Sequence, residues 1–232
     1  MLNKIKVIGF DADDTLWVNE PYFRNAEFRL ADLLKPYTPG TDIVDELFKT
    51  EIKNLELYGY GAKAFTLSLI ETAVKLTGKQ VPAAIINEIL AMGRSLMNIS
   101  IELIDSVDKV LPRLQPHYKL IVVTKGDLLD QERKLKKSGL LPYFHHIEIM
   151  SDKKETDYQK LIDYLEILPE EFMMVGNSLK SDILPVIRIG GIGVHVPFHT
   201  TWQHETVNEL PSQPYYEIES LSQLPDIMAD FL

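Results

Sequence analysis

Apolar and polar positions give this chain two textures. Ile5 Lys6 Val7 Ile8 Gly9 is a short apolar run of the kind buried in a parallel sheet. From Glu20 to about Ser100, apolar residues recur at three- and four-residue spacing, as in Phe28, Ala31, Leu34 and in Ile43, Leu47, Phe48. That period predicts helices. Gly and Pro punctuate it at 36–40, 59–61 and 78–82, which divides the stretch into about four of them. After Leu103 short strand-like runs alternate with helical ones. The runs 120–124, 147–150, 172–175 and 193–196 read as strands, with an edge strand at 216–218. Helices are predicted near 129–138, stopped by Gly139, over about 158–168, closed by Pro169, and up to Ile189.

Strands alternating with helices predict a doubly wound, Rossmann-like parallel α/β sheet with right-handed crossovers. Ligands of such sheets bind beyond the carboxyl ends of the strands. Asp11, Thr124, Lys153 and Gly176 each lie just past one of the apolar runs, so one surface would collect them. The helical block falls between the first strand and the rest. It reads as an all-helical insertion over 18–102, a cap on a core made of 1–17 and 103–232.

Composition narrows the chemistry. The 232 residues suffice for a core that folds unaided. The absence of cysteine removes disulfides, thiolate zinc sites and cysteine nucleophiles. A formal net charge of −10 argues against nonspecific nucleic-acid binding. No apolar stretch reaches the length of a membrane span, and Asp11 interrupts the first run too early for a signal peptide. The expectation is a cytoplasmic protein with no nucleic-acid or membrane partner and no obligate protein partner.

Phe10 Asp11 Ala12 Asp13 Asp14 Thr15 Leu16 crowds acids at the end of the first strand. Packing does not account for that, because carboxylates this close repel unless a cation or shared proton relieves them. Magnesium, which takes hard oxygen ligands, is the cation expected.

Four segments in order resemble the motifs of the haloacid dehalogenase superfamily. Asp11 Ala12 Asp13 Asp14 Thr15 is similar to the first, Val123 Thr124 Lys125 Gly126 Asp127 to the second, and Lys153 or Lys154 to the third. Gly176 Asn177 Ser178 Leu179 Lys180 Ser181 Asp182 is similar to the fourth. Most members are magnesium-dependent phosphatases, and the helical block sits where that superfamily places its helical type of cap. The resemblance implies that Asp11 attacks phosphorus and forms a transient aspartyl phosphate. Asp13 would give a proton to the leaving oxygen and later take one from water, while its backbone carbonyl faces the metal. Thr124 would hold a phosphoryl oxygen, with Thr15, Lys125 and Gly126 lining the same substrate site. Lys153, preferred to Lys154 for its spacing to Tyr158, would bring positive charge to the nucleophile. Asp11, Asp13, Asn177 and Asp182 would complete the Mg2+ shell.

Two positions depart from the usual pattern. Asp14 stands where most relatives have glycine, and Asp tolerates left-handed angles better than most residues. Its carboxylate is expected to face solvent. Asn177 replaces an aspartate with a neutral amide, which predicts weaker metal binding. Asp13 favours phosphate esters over carbon–halogen bonds, since a departing halide needs no proton. A phosphomutase, a 2-haloacid dehalogenase and a noncatalytic phospholigand binder remain alternatives on the same scaffold.

Each residue also has a plainer reading. Thr124 ends a strand, Asp127 and Asp182 are potential helix caps, and paired lysines are usually solvated. In the cap, Lys63 and Tyr60 beside Gly59 and Gly61 either reach the leaving group or simply form a turn. Asn19 and Glu20 are hinge or site residues. His195, His199 and His204 match no metal spacing, and Gly190 Gly191 Ile192 Gly193 precedes a strand, so it reads as a helix stop rather than a dinucleotide fingerprint.

Overall fold

A computed structural model gives the structure of the protein, described for residues 5–207 and 212–229. It divides into two compact units. One holds 1–18 with Ile101–Lys125 and Gln131–Leu232, the other Asn19–Ser100 with Gly126–Asp130.

The first unit is built on β1 (Val7–Phe10), whose alternate side chains enter different cores because successive residues of a strand face opposite sides of the sheet. Ile8 and Phe10 join one apolar layer, Val7 the other. Further strands are β2 (Lys119–Lys125), β3 (His146–Met150), β4 (Phe172–Gly176), β5 (Ile192–His195) and β6 (Tyr216–Glu217). They form a six-stranded parallel sheet in the order β3-β2-β1-β4-β5-β6. The order reverses at β1, between β2 and β4, and an α/β sheet opens its ligand crevice at such a point.

Both faces of the sheet are buried. Val107, Val110, Leu111 and Leu114 of α5 (Val107–Leu114) pack on one face with Leu120, Val122, Met173 and Val175. Tyr158, Leu161 and Ile162 of α7 (Glu155–Tyr164) cover the other with Ile121, Val123, Phe172 and Met174. The helix α6 (Leu128–Ser138) follows β2, a π-helical turn (Leu179–Ile183) leads into α8 (Leu184–Arg188), and α9 (Leu224–Ala229) comes last.

The helical unit contains α1 (Glu20–Leu34), α2 (Ile43–Tyr58), α3 (Ala62–Leu76) and α4 (Ala83–Leu96). Its core gathers Leu30, Leu34, Ile43, Leu47, Phe65, Leu69 and Ile89. Of the apolar positions read from the sequence, Leu34, Ile43 and Leu47 are buried there, whereas Phe28 is exposed and Leu30, four residues before Leu34, takes the inward place on α1. Burying each such side chain is worth about 1.5–3 kcal/mol. Asp42 caps α2 by accepting from the Asp45 N–H at 3.1 Å, and Asn54 Nδ2 donates to Ser68 Oγ at 3.1 Å across the α2–α3 pair.

Several expected boundaries shift. The helix expected over 158–168 runs instead over Glu155–Tyr164, because Asp157 accepts from the Lys154 N–H and starts it earlier. Glu166, with φ +54, then ends it before Pro169. The helices α5 and α9 were not anticipated. Their apolar faces were masked by Pro112 in the first case and by brevity in the second. No helix of the described residues is long and apolar enough to cross a membrane.

Candidate active site

The carboxyl end of β1 runs directly into Asp11, whose N–H donates to the Val175 carbonyl at 2.9 Å as though the strand continued. The chain then turns sharply. Asp14 occupies the left-handed region at φ +64, and its N–H donates to the Trp17 carbonyl at 2.7 Å. An aspartate is among the few residues other than glycine that take this conformation at low cost. The expectation that its carboxylate faces solvent is corrected, because Asp14 is buried. The turn tucks the residue under the loop rather than outside it.

Asp11 is the centre of the arrangement. Lys153 Nζ lies 2.5 Å from Asp11 Oδ1 and 2.6 Å from Asp182 Oδ1. The lysine side chain is 1 % exposed, as is that of Asp182, so this is an ion triad held out of water. Burial pushes the Asp11 carboxyl up. Lys153 opposes that shift, while the charges of Asp182 and Asp13 add to it, and the balance comes to about 7. Burial alone would lower the Lys153 ammonium, but the two carboxylates outweigh it and hold the group well above its ordinary value. Lys154 points elsewhere. It is exposed and pairs with Asp152 at 2.9 Å.

Asp182 owes its position to a missing side chain. A Cβ on Gly176 would stand 2.2 Å from Asp182 Oδ2, so glycine at the end of β4 lets the carboxylate reach the sheet. That Oδ2 accepts from the Ser178 N–H at 3.0 Å. The cap of the following turn is Ser178, whose Oγ accepts from Ser181 N–H at 3.0 Å, and not Asp182. Tyr158, fully buried, donates its hydroxyl to the Ser181 carbonyl at 3.1 Å and supports the same turn from below.

Thr15 Oγ1 lies 3.2 Å from Asp11 Oδ2 and 3.3 Å from Asn177 Oδ1, and accepts from the Asn177 N–H at 3.1 Å. One hydroxyl therefore ties the first loop to the fourth segment. Thr124 is buried at the end of β2, with its Oγ1 3.2 Å from the Lys125 carbonyl. Gly126 follows at φ +134, where a side chain would be strained. Asp127 caps α6 by accepting from the Asp130 N–H at 3.1 Å, and Lys63 Nζ sits 2.9 Å from Asp127 Oδ1.

Lys125 is engaged in a way the sequence did not reveal. Its Nζ donates to Glu205 Oε1 at 2.6 Å and to Ser181 Oγ at 2.9 Å, while Ser178 and Ser181 both donate 2.5 Å bonds to Glu205 Oε2. Burial would raise the Glu205 carboxyl, but Lys125 and the two hydroxyls overcome it and hold the group near 2. His195 spans Glu217 at 3.0 Å and the Asn177 carbonyl at 3.1 Å, a supporting role for the fourth segment. Glu205 lies some 80 residues from Lys125 in a stretch without helix or strand period. No local pattern could have paired them.

Among the described residues no three acidic or histidine side chains form a metal cluster, so the fit to magnesium lies in the chemistry of the donors the sequence singled out. The donors are all oxygens, from the Asp11 and Asp182 carboxylates, the Asn177 amide and the Asp13 carbonyl, which is the hard set that Mg2+ prefers. Charge points the same way, since two buried carboxylates share one ammonium and Asp182 still raises Asp11. A residual negative charge of this kind is relieved by a cation.

The sequence signature described as "Hydrolase: haloacid dehalogenase-like hydrolase" matches residues 5–190. A solved haloacid dehalogenase-like family hydrolase from Xanthomonas campestris is 36% identical, with a TM-score of 0.87 covering 98% of this chain and 92% of its own. N-acylneuraminate-9-phosphatase from Mus musculus is 23% identical over 98% of this chain and 95% of its own length. A 2-haloacid dehalogenase from Pseudomonas syringae shares 20% identity at a TM-score of 0.65, over 98% of this chain and 100% of its own, which is a likeness of fold.

Proposed function

The chain belongs to the haloacid dehalogenase-like hydrolases, and from that membership we propose that it hydrolyses a small-molecule phosphate monoester with Mg2+ as cofactor. The observation that carries this reading is the buried Asp11 carboxylate gripped by Lys153, two residues before a second acid, Asp13. The similarity to N-acylneuraminate-9-phosphatase supports phosphate as the group removed.

Asp11 attacks phosphorus with one carboxylate oxygen, and the bond between phosphorus and the ester oxygen breaks as the new one forms. Asp13 delivers its proton to the departing oxygen, so the product leaves as an alcohol. Water then attacks the aspartyl phosphate and gives its proton to Asp13. Inorganic phosphate departs, and both acids return to their starting forms. Lys153 supplies positive charge where it builds up on the phosphoryl oxygens, and Thr124 offers its hydroxyl to one of them. When bound by Asp11, Asp182, Asn177 and the Asp13 carbonyl, Mg2+ would screen the nucleophile from the substrate's negative charge. Asn177, being neutral, would make that site weaker than a third carboxylate would. Thr15 holds the first and fourth segments in register, and Gly126 keeps the turn after Thr124 open to substrate. The choice among esters falls to the helical unit, with Lys63 and Tyr60 as the residues to vary first.

The competing reaction is dehalogenation. Asp13 weighs against it, because halide needs no proton on leaving. The test uses p-nitrophenyl phosphate with Mg2+, beside a panel of phosphorylated metabolites and 2-chloropropionate. Asp11→Asn should cut phosphate release by about a thousandfold or more. Equal release by wild type and Asp11→Asn, or chloride release that needs no metal, would overturn the proposal.

A further inference from the structure

Helix α6 buries Leu135 in the core but also two polar side chains beside it. Gln131 and Lys134, three residues apart on one face, are 4 % and 8 % exposed, while Leu128 and Leu129 are 61 % and 54 % exposed. Packing alone would favour the reverse, since leucine gains from burial and lysine is almost never buried unless paired. Both buried residues reach the same carboxylate. Lys134 Nζ donates to Asp13 Oδ1 at 2.9 Å, and Gln131 Nε2 to Asp13 Oδ2 at 2.8 Å. Trp17, itself buried, donates its Nε1–H to Asp13 Oδ1 at 2.7 Å.

Gln131 makes a second connection. The same amide nitrogen lies 2.8 Å from the Lys125 carbonyl and 3.3 Å from Thr124 Oγ1. An amide nitrogen carries two hydrogens, so it serves Asp13 on one side and the end of β2 on the other. The Gln131 Oε1 is buried with no hydrogen-bond partner. That cost is accepted in exchange for pointing the nitrogen at the acid, because turning the amide over would set its oxygen against Asp13 Oδ2 and the Lys125 carbonyl.

We propose that Gln131 and Lys134 are positioning residues that fix the side chain of Asp13 relative to the phosphoryl site, with Gln131 setting its distance from Thr124. This rests on the phosphohydrolase reading and adds residues that no motif of the first, third or fourth segment contains. An acid at the tip of a loop has two free torsions, and proton transfer needs its oxygen within hydrogen-bond reach of the leaving group. Three donors on its two oxygens remove that freedom. Oδ1 accepts from Trp17 and Lys134, while Oδ2 accepts, among the described residues, only from Gln131 and keeps a lone pair for the proton that passes to the leaving group and back from water. Gln131 and Lys134 both lie on α6, and Gln131 reaches Thr124 and the end of β2 as well as the acid.

The experiment compares kcat/KM on ethyl phosphate and on p-nitrophenyl phosphate. Ethoxide cannot leave without a proton, whereas nitrophenolate can. For Lys134→Met and for Gln131→Ala, kcat/KM on ethyl phosphate should fall about 10- to 100-fold. On p-nitrophenyl phosphate it should change by less than about threefold, with a burst of nitrophenolate as the later, base-dependent step slows. Inhibition by inorganic phosphate should stay within about twofold, and Lys134→Arg should recover most of the loss. A role in packing alone would lower both esters together, and that result, like unchanged kinetics, would overturn the inference. Should Lys134→Met fail to fold, Gln131→Ala carries the same comparison. Loss of discrimination in the variants while wild type and Asp11→Asn behave as proposed would sink only the positioning role. A wild type that cleaves neither ester would bring down the phosphohydrolase reading and this inference with it.

Discussion

Gly176→Ala tests whether the site depends on one close approach. The added methyl would lie 2.2 Å from Asp182 Oδ2 and 2.4 Å from its Cγ, where ordinary contact begins near 3.4 Å. Asp182 or the end of β4 must therefore retreat by about 1.2 Å. Asp182 has little room to do so. Its Oδ1 is 2.6 Å from Lys153 Nζ and its Oδ2 3.0 Å from the Ser178 N–H, and such bonds fail beyond about 3.2 Å. A displacement of that size uses up the tolerance of both. Overpacking should cost about 1–3 kcal/mol of stability, while misplacing a ligand and the lysine by an ångström should cost about a hundredfold in activity. Urea denaturation reads the first and kcat/KM on an aryl phosphate the second. Gly78→Ala is the control, because Gly78 has φ +61 with nothing within 4 Å of the new methyl. It should lose about 1 kcal/mol to backbone strain without losing activity. If Gly176→Ala kept activity within about threefold of wild type, Asp182 would not need its place and the reasoning would fail.

Lys153→Met leaves the Asp11 and Asp182 carboxylates buried side by side with no shared cation, so it should cost about 3–5 kcal/mol in chemical denaturation at pH 8. A loss below about 1 kcal/mol would mean that the triad is far better solvated than the geometry implies. In the helical unit, burial followed by repulsion from Glu27 and Glu20 raises Glu51 from 4.5 to about 8, with Arg24 partly offsetting them. The folded state thus keeps a proton that the unfolded chain has given up, and the stability this provides is complete below pH 4.5 and lost as pH rises to about 8. Glu51→Gln should accordingly stabilise at pH 8 by on the order of 2–4 kcal/mol relative to its effect at pH 4.5. Thermal melts at the two pH values check it, and equal shifts at both would refute the titration.

Helical spacing, strand alternation and Gly/Pro breaks already outlined the parallel sheet and the four-helix stretch, because burial of apolar faces obeys local periods. Asp11, Thr124 and Lys153 could be picked out for a related reason, since ligands of such a sheet bind just past strand ends and strand ends are visible in the chain, whereas Asp182 came only from the resemblance of its segment to a superfamily motif. Only the tertiary structure decided the rest. The spacing to Tyr158 only favoured Lys153 over Lys154, and the fold gave the reason: Lys153 meets the buried acids while its neighbour pairs with Asp152 at the surface. The fold turned Gln131 and Lys134 inward beside Leu135 on a helix whose Leu128 and Leu129 face out, because a distant carboxylate offered them partners. It joined Lys125 to Glu205 and seated Asp182 over Gly176. Local periodicity records what a segment must bury, but pairings between charges far apart in the chain exist only once folding has brought their strands together.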